Sequence, residues 1–336
     1  MKKHSKSAGI VGVGHYAPPD ILTNADLEKM VDTSDEWIVT RTGIRERHIA
    51  DASMATSDMC YEAAQKALSD AGMSAPDLDL IIVATVTPDH AFPSTACLLQ
   101  SRLGAEKAAA FDLSAGCTGF IYALTTGAQF IQGGMYENVL VIGAEMLTSI
   151  TNWEDRSTCV LFGDGAGAAV LRPCEEGKGL LSSFLAADGS AGSLLCLPAG
   201  GTRQPLTEDL MKENKHKLYM DGSEVFKIAV RNMETAILNV LESIDAKPED
   251  VSLLIPHQAN RRIIDAINKK LGLPEERVFV NIDRYGNTSS ASVPIALSEA
   301  VEEGRLKDGD LLVMTAFGAG MTWGAVALRW IGDEAK

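Results

Sequence analysis

The chain has 336 residues, of which 46% are hydrophobic, and its formal net charge at pH 7 is −15. This length and apolar content are enough to fill a large core, while the negative charge argues against general binding to nucleic acid. No stretch approaches the ~18 consecutive apolar residues of a membrane-spanning helix, so we expect no contact with a membrane.

The six cysteines indicate a reducing compartment. Their spacing is irregular and forms neither a Cys-x-x-Cys pair nor the framework of a secreted disulfide-rich domain. The amino-terminal residues also lack the long apolar core of a signal peptide. We therefore expect a cytoplasmic protein. No His, Cys and Asp cluster has the spacing of metal ligands, so no metal site is predicted.

Two glycine-rich runs resemble nucleotide-binding loops but lack the required context. The first, Gly12 to Ala17, matches a dinucleotide fingerprint, yet Pro18 and Pro19 follow where a helix should begin. The second, Gly163 to Gly167, lacks the Lys-Ser/Thr of a phosphate loop and continues into an apolar strand. Close backbone packing is the better explanation for the glycines of this second run.

The first half of the chain alternates predicted helices and strands and contains a candidate nucleophile. An amphipathic helix is predicted around Cys60 to Leu68, with buried strands at Leu80–Val83, Phe111–Leu113, Val139–Ile142 and Gly165–Leu171. Cys117 lies where one strand ends and an apolar helix begins. The positive end of a helix dipole favours a thiolate, so the position predicts a lowered pKa for Cys117.

The second half repeats this order of elements. A helix is predicted at Ile228–Ile244 and strands at Val251–Ile255, Val280–Ile282, Leu311–Met314 and Gly324–Leu328. The chain is thus predicted to contain two copies of one α/β unit, in residues 1–180 and 181–336. No Pro/Ser-rich linker separates them, and the polar stretch Gly200–Lys217 is expected to be a surface loop.

The duplication suggests a shared site. Cys117 and Asn287 occupy the same turn of the two copies, and His257 follows the carboxyl end of a second-half strand, where α/β sheets place ligands. A lone histidine there would more often be a hydrogen-bonded structural residue. With Cys117 and Asn287 in matched turns, a Cys-His-Asn constellation is the better interpretation.

Several separated blocks give the chain a family resemblance. These blocks are Thr33–Ile38, Arg41–Arg47, His90–Ser94, Phe162–Ala168, Pro256–Asn260, Gly286–Ser289 and Phe317–Gly324. In this order they make residues 20–330 resemble β-ketoacyl-acyl-carrier-protein synthase III, a condensing enzyme of the thiolase-fold superfamily. The resemblance implies a five-layer α-β-α-β-α sandwich and a catalytic triad of Cys117, His257 and Asn287.

The resemblance also implies a reaction. A short primer acyl-CoA, with acetyl-CoA as the default, would acylate Cys117, and malonyl-acyl-carrier-protein would then lose carbon dioxide and condense with the acyl group. The backbone N–H groups of Cys117 and Ala319 would form the oxyanion hole, although relatives commonly carry glycine at the second position. CoA thioester is a substrate, and no cofactor is expected.

Binding residues follow from the same resemblance. Trp37 and Arg41 are one turn apart on a predicted helix that starts at a Thr33–Glu36 capping box, and both side chains suit an adenine ring. In the family, Arg156 flanks that ring as well, and Asn260 is expected to contact CoA. Trp153 departs from the family pattern and could alter the CoA entrance.

Docking of the acidic carrier protein and dimer formation are expected too. In this acidic chain the carrier requires a local basic patch, which we assign to the segment Asn260–Leu271. The residues expected to bind the carrier are Gln258, Ala259, Asn260, Arg261 and Arg262. Arg262 and Lys269 share a helix face opposite an apolar stripe. Phe92 resembles a residue that crosses a homodimer interface to wall the primer pocket, and Leu147 is expected in that pocket.

Two other function classes remain open at this point. One is a related thiolase-fold ketosynthase of secondary metabolism. The other is a non-enzymatic acyl-CoA-binding module with a vestigial site, against which the intact Cys-His-Asn set argues. A Cys-His-Asn protease fits neither the local sequence nor the chain order.

Overall fold

The computed structural model describes residues 7–332. The first residues of the predicted half 1–180 and the last residues of the predicted half 181–336 therefore lie outside the described residues. The strands are β1 Ser7–Tyr16, β2 Asp20–Thr23, β3 Glu46–Ile49, β4 Leu80–Ala84, β5 Ala109–Leu113, β6 Val139–Met146, β7 Asp164–Cys174, β8 Gly179–Ala187, β9 Leu195–Cys196, β10 Tyr219–Met220, β11 Leu253–Pro256, β12 Leu311–Gly318 and β13 Thr322–Arg329. The α-helices are α1 Asn24–Leu27, α2 Asp35–Thr42, α3 Thr56–Asp70, α4 Thr95–Leu103, α5 Gly119–Gln132, α6 Glu208–Lys212, α7 Gly222–Glu242, α8 Arg261–Leu271, α9 Ile282–Tyr285 and α10 Ser292–Glu302.

Two mixed sheets organise the molecule. The first has five strands in the order β1-β7-β6-β4-β5, with β4 parallel to both β5 and β6 and with β7 antiparallel to its neighbours. The second has four strands in the order β11-β12-β13-β8, with a parallel β11–β12 pair and antiparallel pairs beyond it. Within residues 7–332, no helix is both long and apolar enough to cross a membrane.

The predicted five-layer sandwich is confirmed. Helices α5 and α10 lie between the sheets, and one apolar cluster joins them to both. Residues Ser292–Ala300 of α10 are all buried, as expected for a helix whose sequence is apolar or small on every side except at Glu299. Helices α3 and α4 cover the outer face of the first sheet, while α7 and α8 cover that of the second.

Glycines make the central packing possible. A Cβ at Gly143 would collide with the carbonyl oxygen of Ser290, and one at Gly167 would lie 2.6 Å from the amide nitrogen of Ile295 on α10. In β1, a Cβ at Gly14 would lie 2.5 Å from the nitrogen of Ala67 on α3. Both glycine runs thus serve close approach of helix and sheet, which the sequence predicted for the second run.

Two expectations about local structure are corrected. Residues 280–282 form no strand: beyond an isolated bridge between Leu254 and Val278, the chain turns into α9. The amide of Asn281 donates to Oε1 of Gln258 at 3.1 Å, so it is not available to a β-ladder. In addition, the Gly200–Lys217 loop contains the short helix α6, capped by Thr207.

Candidate active site

The three predicted catalytic side chains line one cavity of about 850 Å³. Cys117 lies in the 3₁₀ turn that leads into α5, and Asn287 lies in the turn before α10. His257 follows β11, with its amide bonded to the carbonyl of Thr315 at 2.8 Å. The two matched turns therefore lead into the central helices α5 and α10. The end of β11 places His257 in the same cavity.

The electrostatics of Cys117 differ from expectation. Burial raises the pKa of its thiol to about 11, a hydrogen bond with the Ser289 side chain opposes this rise, and the nearby Glu145 carboxyl adds to it. The prediction of a lowered pKa is wrong because desolvation of sulfur outweighs the dipole of the helix. Cys117 therefore rests as a neutral thiol, partly exposed to the cavity.

His257 is held neutral. Its side chain is 2% exposed, and burial lowers its pKa to about 3. Nδ1 lies 2.5 Å from Oγ of Ser292, the first residue of α10. A neutral imidazole whose Nδ1 is occupied in this way presents Nε2 to the cavity.

Asn287 is oriented by the backbone that follows it. Its Oδ1 accepts a hydrogen bond from the amide of Ser289 at 2.9 Å. Its own amide donates to the carbonyl of Leu161 at 2.8 Å, which fixes the turn against the preceding loop. With the side-chain oxygen engaged, the amide nitrogen of Asn287 is the end available as a donor in the cavity.

The predicted oxyanion turn lies against the cysteine turn. A Cβ at Gly116 would lie 2.7 Å from the amide nitrogen of Ala319, and one at Gly318 would collide with the amide nitrogen of Cys117. Gly116 also has φ of 56°, a left-handed conformation that favours glycine. These glycines allow the amides of Cys117 and Ala319 to lie close together.

A buried carboxyl behind the site escaped the sequence analysis. Oε1 of Glu145 accepts from the hydroxyls of Ser289 and Ser290, at 3.1 and 2.9 Å. Oε2 accepts from the Thr87 hydroxyl at 2.8 Å and the Val86 amide at 3.1 Å. Burial raises the pKa of Glu145. The signal was present: this residue interrupts an otherwise apolar strand, β6.

The mouth of the cavity has the predicted aromatic and cationic groups. The guanidinium carbon of Arg41 lies 4.8 Å from the ring centre of Trp37, and that of Arg156 lies 5.3 Å from it. Arg156 is further held by a 2.7 Å hydrogen bond to the carbonyl of Asp32. Trp37, Arg41 and Asn260 line the cavity, with Arg156 at its edge beside Trp37.

The cap of helix α2 is corrected. Ser34, not Thr33, is the N-cap, and its hydroxyl accepts from the amide of Trp37. Oγ1 of Thr33 is buried and finds no hydrogen-bond partner among residues 7–332. Gly43 ends the helix with φ of 80°, where the sequence predicted its end. The one-residue shift leaves Trp37 and Arg41 a turn apart on one face.

Helix α8 has the predicted apolar stripe and exposed cations, but one residue assigned to carrier binding is buried. Ile263, Ile264 and Ile267 are buried, while Arg262 and Lys269 are exposed. Gln258, however, is 1% exposed. Its Nε2 donates to the carbonyls of Pro256 and Phe279, at 2.7 and 3.2 Å. The assignment of Gln258 to carrier-protein binding is therefore wrong, because its side chain is buried and its side-chain amide is hydrogen-bonded inside the protein.

The predicted primer residues are separated within one chain. Leu147 is 2% exposed and lines the cavity, whereas Phe92 is 85% exposed and projects from the surface. Trp153 is half-buried and packs in the cluster that includes Trp37. The sequence analysis missed the outer wall, whose apolar side chains are Leu195, Leu197, Leu218 and Met220. In the sequence, the apolar run from Leu194 to Leu197 indicated this wall.

No group of three or more His, Cys, Asp or Glu side chains within residues 7–332 is arranged to hold a metal ion. The polar groups at the inner end of the cavity include the thiol of Cys117, the neutral imidazole of His257, the primary amide of Asn287 and nearby backbone N–H groups. Such a set is suited to nucleophilic attack by sulfur and to stabilisation of negative charge on oxygen.

Comparisons with known proteins identify relatives of the chain. The profile of 3-oxoacyl-[acyl-carrier-protein] synthase III matches residues 111–189, and that of its C-terminal region matches residues 241–330. The chain is 58% identical to the β-ketoacyl-[acyl-carrier-protein] synthase III of Caldanaerobacter subterraneus subsp. tengcongensis, over 96% of this chain and 98% of that protein.

Solved structures give the same result. The 3-oxoacyl-[acyl-carrier-protein] synthase III of Aquifex aeolicus aligns with a TM-score of 0.90 and 54% identity, over 96% of this chain and 100% of that chain. The priming β-ketosynthase of the R1128 polyketide pathway aligns with a TM-score of 0.91 at 35% identity, over 98% of both chains.

Proposed function

Because the chain belongs to the β-ketoacyl-[acyl-carrier-protein] synthase III family and is an acyltransferase of the condensing type, we propose that Cys117, His257 and Asn287 carry its reaction. That reaction joins a short primer acyl-CoA, here acetyl-CoA, to malonyl-acyl-carrier-protein and initiates fatty-acid elongation. The products are 3-oxoacyl-acyl-carrier-protein, carbon dioxide and CoA. The observation that carries the proposal is the convergence of all three side chains on one cavity beside paired backbone donors.

The first half-reaction is acyl transfer to Cys117. Sulfur attacks the thioester carbonyl, the amides of Cys117 and Ala319 stabilise the oxyanion, and the bond to the CoA sulfur breaks. With its pKa lowered to about 3, His257 is a weak base. The net proton movement is accordingly from the Cys117 thiol to the departing CoA sulfur.

The second half-reaction is decarboxylation and condensation. Malonyl-acyl-carrier-protein loses carbon dioxide, and its electrons form a thioester enolate whose oxygen accepts hydrogen bonds from Nε2 of His257 and Nδ2 of Asn287. The enolate carbon attacks the acyl-Cys117 carbonyl and expels sulfur, which regains one proton as the thiol. No step calls for a cofactor.

Substrate binding divides between two surfaces. Trp37 and Arg156 flank the adenine of CoA, with Arg41 and Asn260 nearby, as supported by the stacking distances at Trp37. The carrier protein docks on the start of α8, at Ala259, Asn260, Arg261 and Arg262. Because Phe92 is exposed and away from the cavity of its own chain, we assign it to a homodimer interface, where it walls the partner's primer pocket. We place this activity in the cytoplasm.

A ketosynthase of secondary metabolism is the second candidate. It is favoured by one observation, the 0.91 TM-score to the R1128 priming β-ketosynthase. A panel of acyl-CoA primers with malonyl-acyl-carrier-protein separates the two, since we expect acetyl-CoA to give the highest rate. Clear preference for another primer, such as isobutyryl-CoA, would contradict the proposed substrate.

Trapping of the acyl-enzyme tests whether Cys117 carries acylation while His257 and Asn287 carry decarboxylation. Incubation with labelled acetyl-CoA should place one acetyl group on Cys117, detected by mass spectrometry. Cys117→Ser should lose this adduct, because a serine hydroxyl without a matched base is a poor nucleophile. His257→Ala and Asn287→Ala should still form it but should lose decarboxylation by about 100-fold or more.

Two results would contradict the assignment. A wild-type protein that binds acetyl-CoA without forming any adduct would be an acyl-CoA-binding module. An Asn287→Ala variant that blocks acylation while leaving malonyl decarboxylation intact would reverse the proposed roles.

A further inference from the structure

The decarboxylation step requires hydrogen on one particular nitrogen of His257. A neutral imidazole bears its single ring hydrogen on either Nδ1 or Nε2, and only the second form donates into the cavity. The two forms have similar energies in water, so the surroundings of the ring decide between them. Those surroundings are dominated by one side chain, the hydroxyl of Ser292.

The hydrogen bonds around Ser292 identify the direction of donation. Its Oγ accepts from the amide of Gln258 at 3.3 Å and lies 2.5 Å from Nδ1 of His257. Ser292 and His257 are both 2% exposed, so solvent does not supply an alternative partner. Within residues 7–332, Nδ1 is the one acceptor positioned for the hydroxyl hydrogen.

The opposite tautomer would leave a hydrogen without an acceptor. If Nδ1 carried the hydrogen, Oγ of Ser292 would accept from both Nδ1 and the Gln258 amide, and its own hydrogen would be buried and unpaired. A buried hydrogen without an acceptor lowers the population of that tautomer by about 10- to 100-fold. Backbone N–H groups at the start of α10 also oppose positive charge on the ring.

From this arrangement we propose that Ser292 is a positioning residue, which holds His257 as the tautomer with hydrogen on Nε2 and so prepares it to stabilise the enolate. The inference rests on the proposed function for its consequence in decarboxylation. Its structural part, the tautomer of the resting protein, is independent of turnover. The role belongs to the hydroxyl, because Ser292 opens the buried helix α10 and its Oγ lies 2.5 Å from Nδ1.

Nuclear magnetic resonance of the full chain labelled with ¹⁵N-histidine tests the structural part. The His257 signals are identified by their loss in His257→Ala. We expect the wild type to show hydrogen on Nε2 at neutral pH, and Ser292→Ala to show a mixture of the two tautomers. Hydrogen on Nδ1 in the wild type, or an unchanged tautomer in Ser292→Ala, would overturn the proposal.

Kinetics test the consequence. Ser292→Ala should slow malonyl decarboxylation by about 10- to 100-fold while acetylation of Cys117 changes by less than about threefold. Ser292→Thr, which keeps the hydroxyl, should restore most of the rate and the wild-type tautomer. Equal loss in both half-reactions, or no rescue by threonine when the variant is folded, would overturn it.

A matched control lies on the same helix. Ser298, 1% exposed, bonds Nδ1 of His15 at 2.9 Å, far along α10 from the cavity. Ser298→Ala removes the same kind of contact and should leave decarboxylation within about twofold of wild type. If it slows decarboxylation as much as Ser292→Ala does, damage to α10 explains both, and the proposal fails. If the wild type forms no acyl-enzyme, the proposed function fails while the tautomer result still stands.

Discussion

The burial of His257 has a cost that depends on pH. An unfolded chain binds a proton at this residue near pH 6.5, whereas burial in the folded protein lowers the pKa to about 3. Between these values the unfolded state binds more protons than the folded state. Stability contributed by the neutral ring is therefore complete above pH 6.5 and is lost as pH falls towards 3.

Unfolding by urea at several pH values checks this prediction. The free energy of unfolding of the wild type should fall, relative to that of His257→Asn, by up to about 1.4 kcal/mol per pH unit below pH 6.5. Subtracting the variant removes the contributions of other buried acids such as Glu145. Parallel curves for the two proteins would mean that His257 titrates normally in the folded state.

At the scale of elements, we expect α8 to separate carrier docking from chemistry. Arg262 is exposed at the start of this helix, with its guanidinium carbon 5.6 Å from the ring centre of Phe226, and both residues line the cavity mouth. An acidic carrier protein approaching a chain of net charge −15 depends on such local positive charge. Salt should screen that dependence.

Arg262→Glu should raise the KM for malonyl-acyl-carrier-protein about tenfold, most strongly in salt-free buffer where repulsion is unscreened. Acetylation of Cys117 by acetyl-CoA should change little, since the proposed path of CoA runs along Trp37 and Arg156. Steady-state kinetics over a salt series measure the first effect. Lys66→Glu on α3, the same charge change on the opposite outer layer, is the control. Equal damage to both half-reactions would assign Arg262 to the fold.

The elements also show how far sequence reasoning reaches. Periodicity predicted helix α5 and most strands, because local patterns determine those features, and the repeated order of elements predicted that Cys117, His257 and Asn287 meet. Helix α10 was not predicted. The position of one cap, the burial of Gln258 and the pKa of Cys117 depend on contacts between distant segments. No local pattern distinguishes Thr33 from Ser34 as a cap, and none states how much water reaches a sulfur atom.

At the scale of the whole molecule, the sandwich depends on close contact between α10 and the first sheet. Gly143 lies in β6 directly against the backbone of Ser290 and Ala291, just before α10. Gly143→Ala should lower the free energy of unfolding by about 2–4 kcal/mol, because a Cβ there forces the helix away from the sheet. Urea denaturation measures this loss.

The control for this change is Gly189→Ala, since a Cβ at Gly189 meets no atom within 4 Å. Its free energy of unfolding should stay within about 0.5 kcal/mol of wild type. If Gly143→Ala is equally harmless, the layers tolerate a wider separation than the contact implies, and the close approach is not what holds α10 in place.

The cavity is lined both by turns from the core and by segments at the surface, and this difference has an evolutionary consequence. Its inner end is formed by turns anchored to α5 and α10, whereas its outer wall comes from thin surface segments with Leu195, Leu197 and Leu218. Mutations in the core disturb every layer, whereas we expect mutations in the wall to change the shape of the cavity and little else. Descendants of such a protein can therefore acquire differently shaped cavities while the turns that hold Cys117 and Asn287 are inherited unchanged.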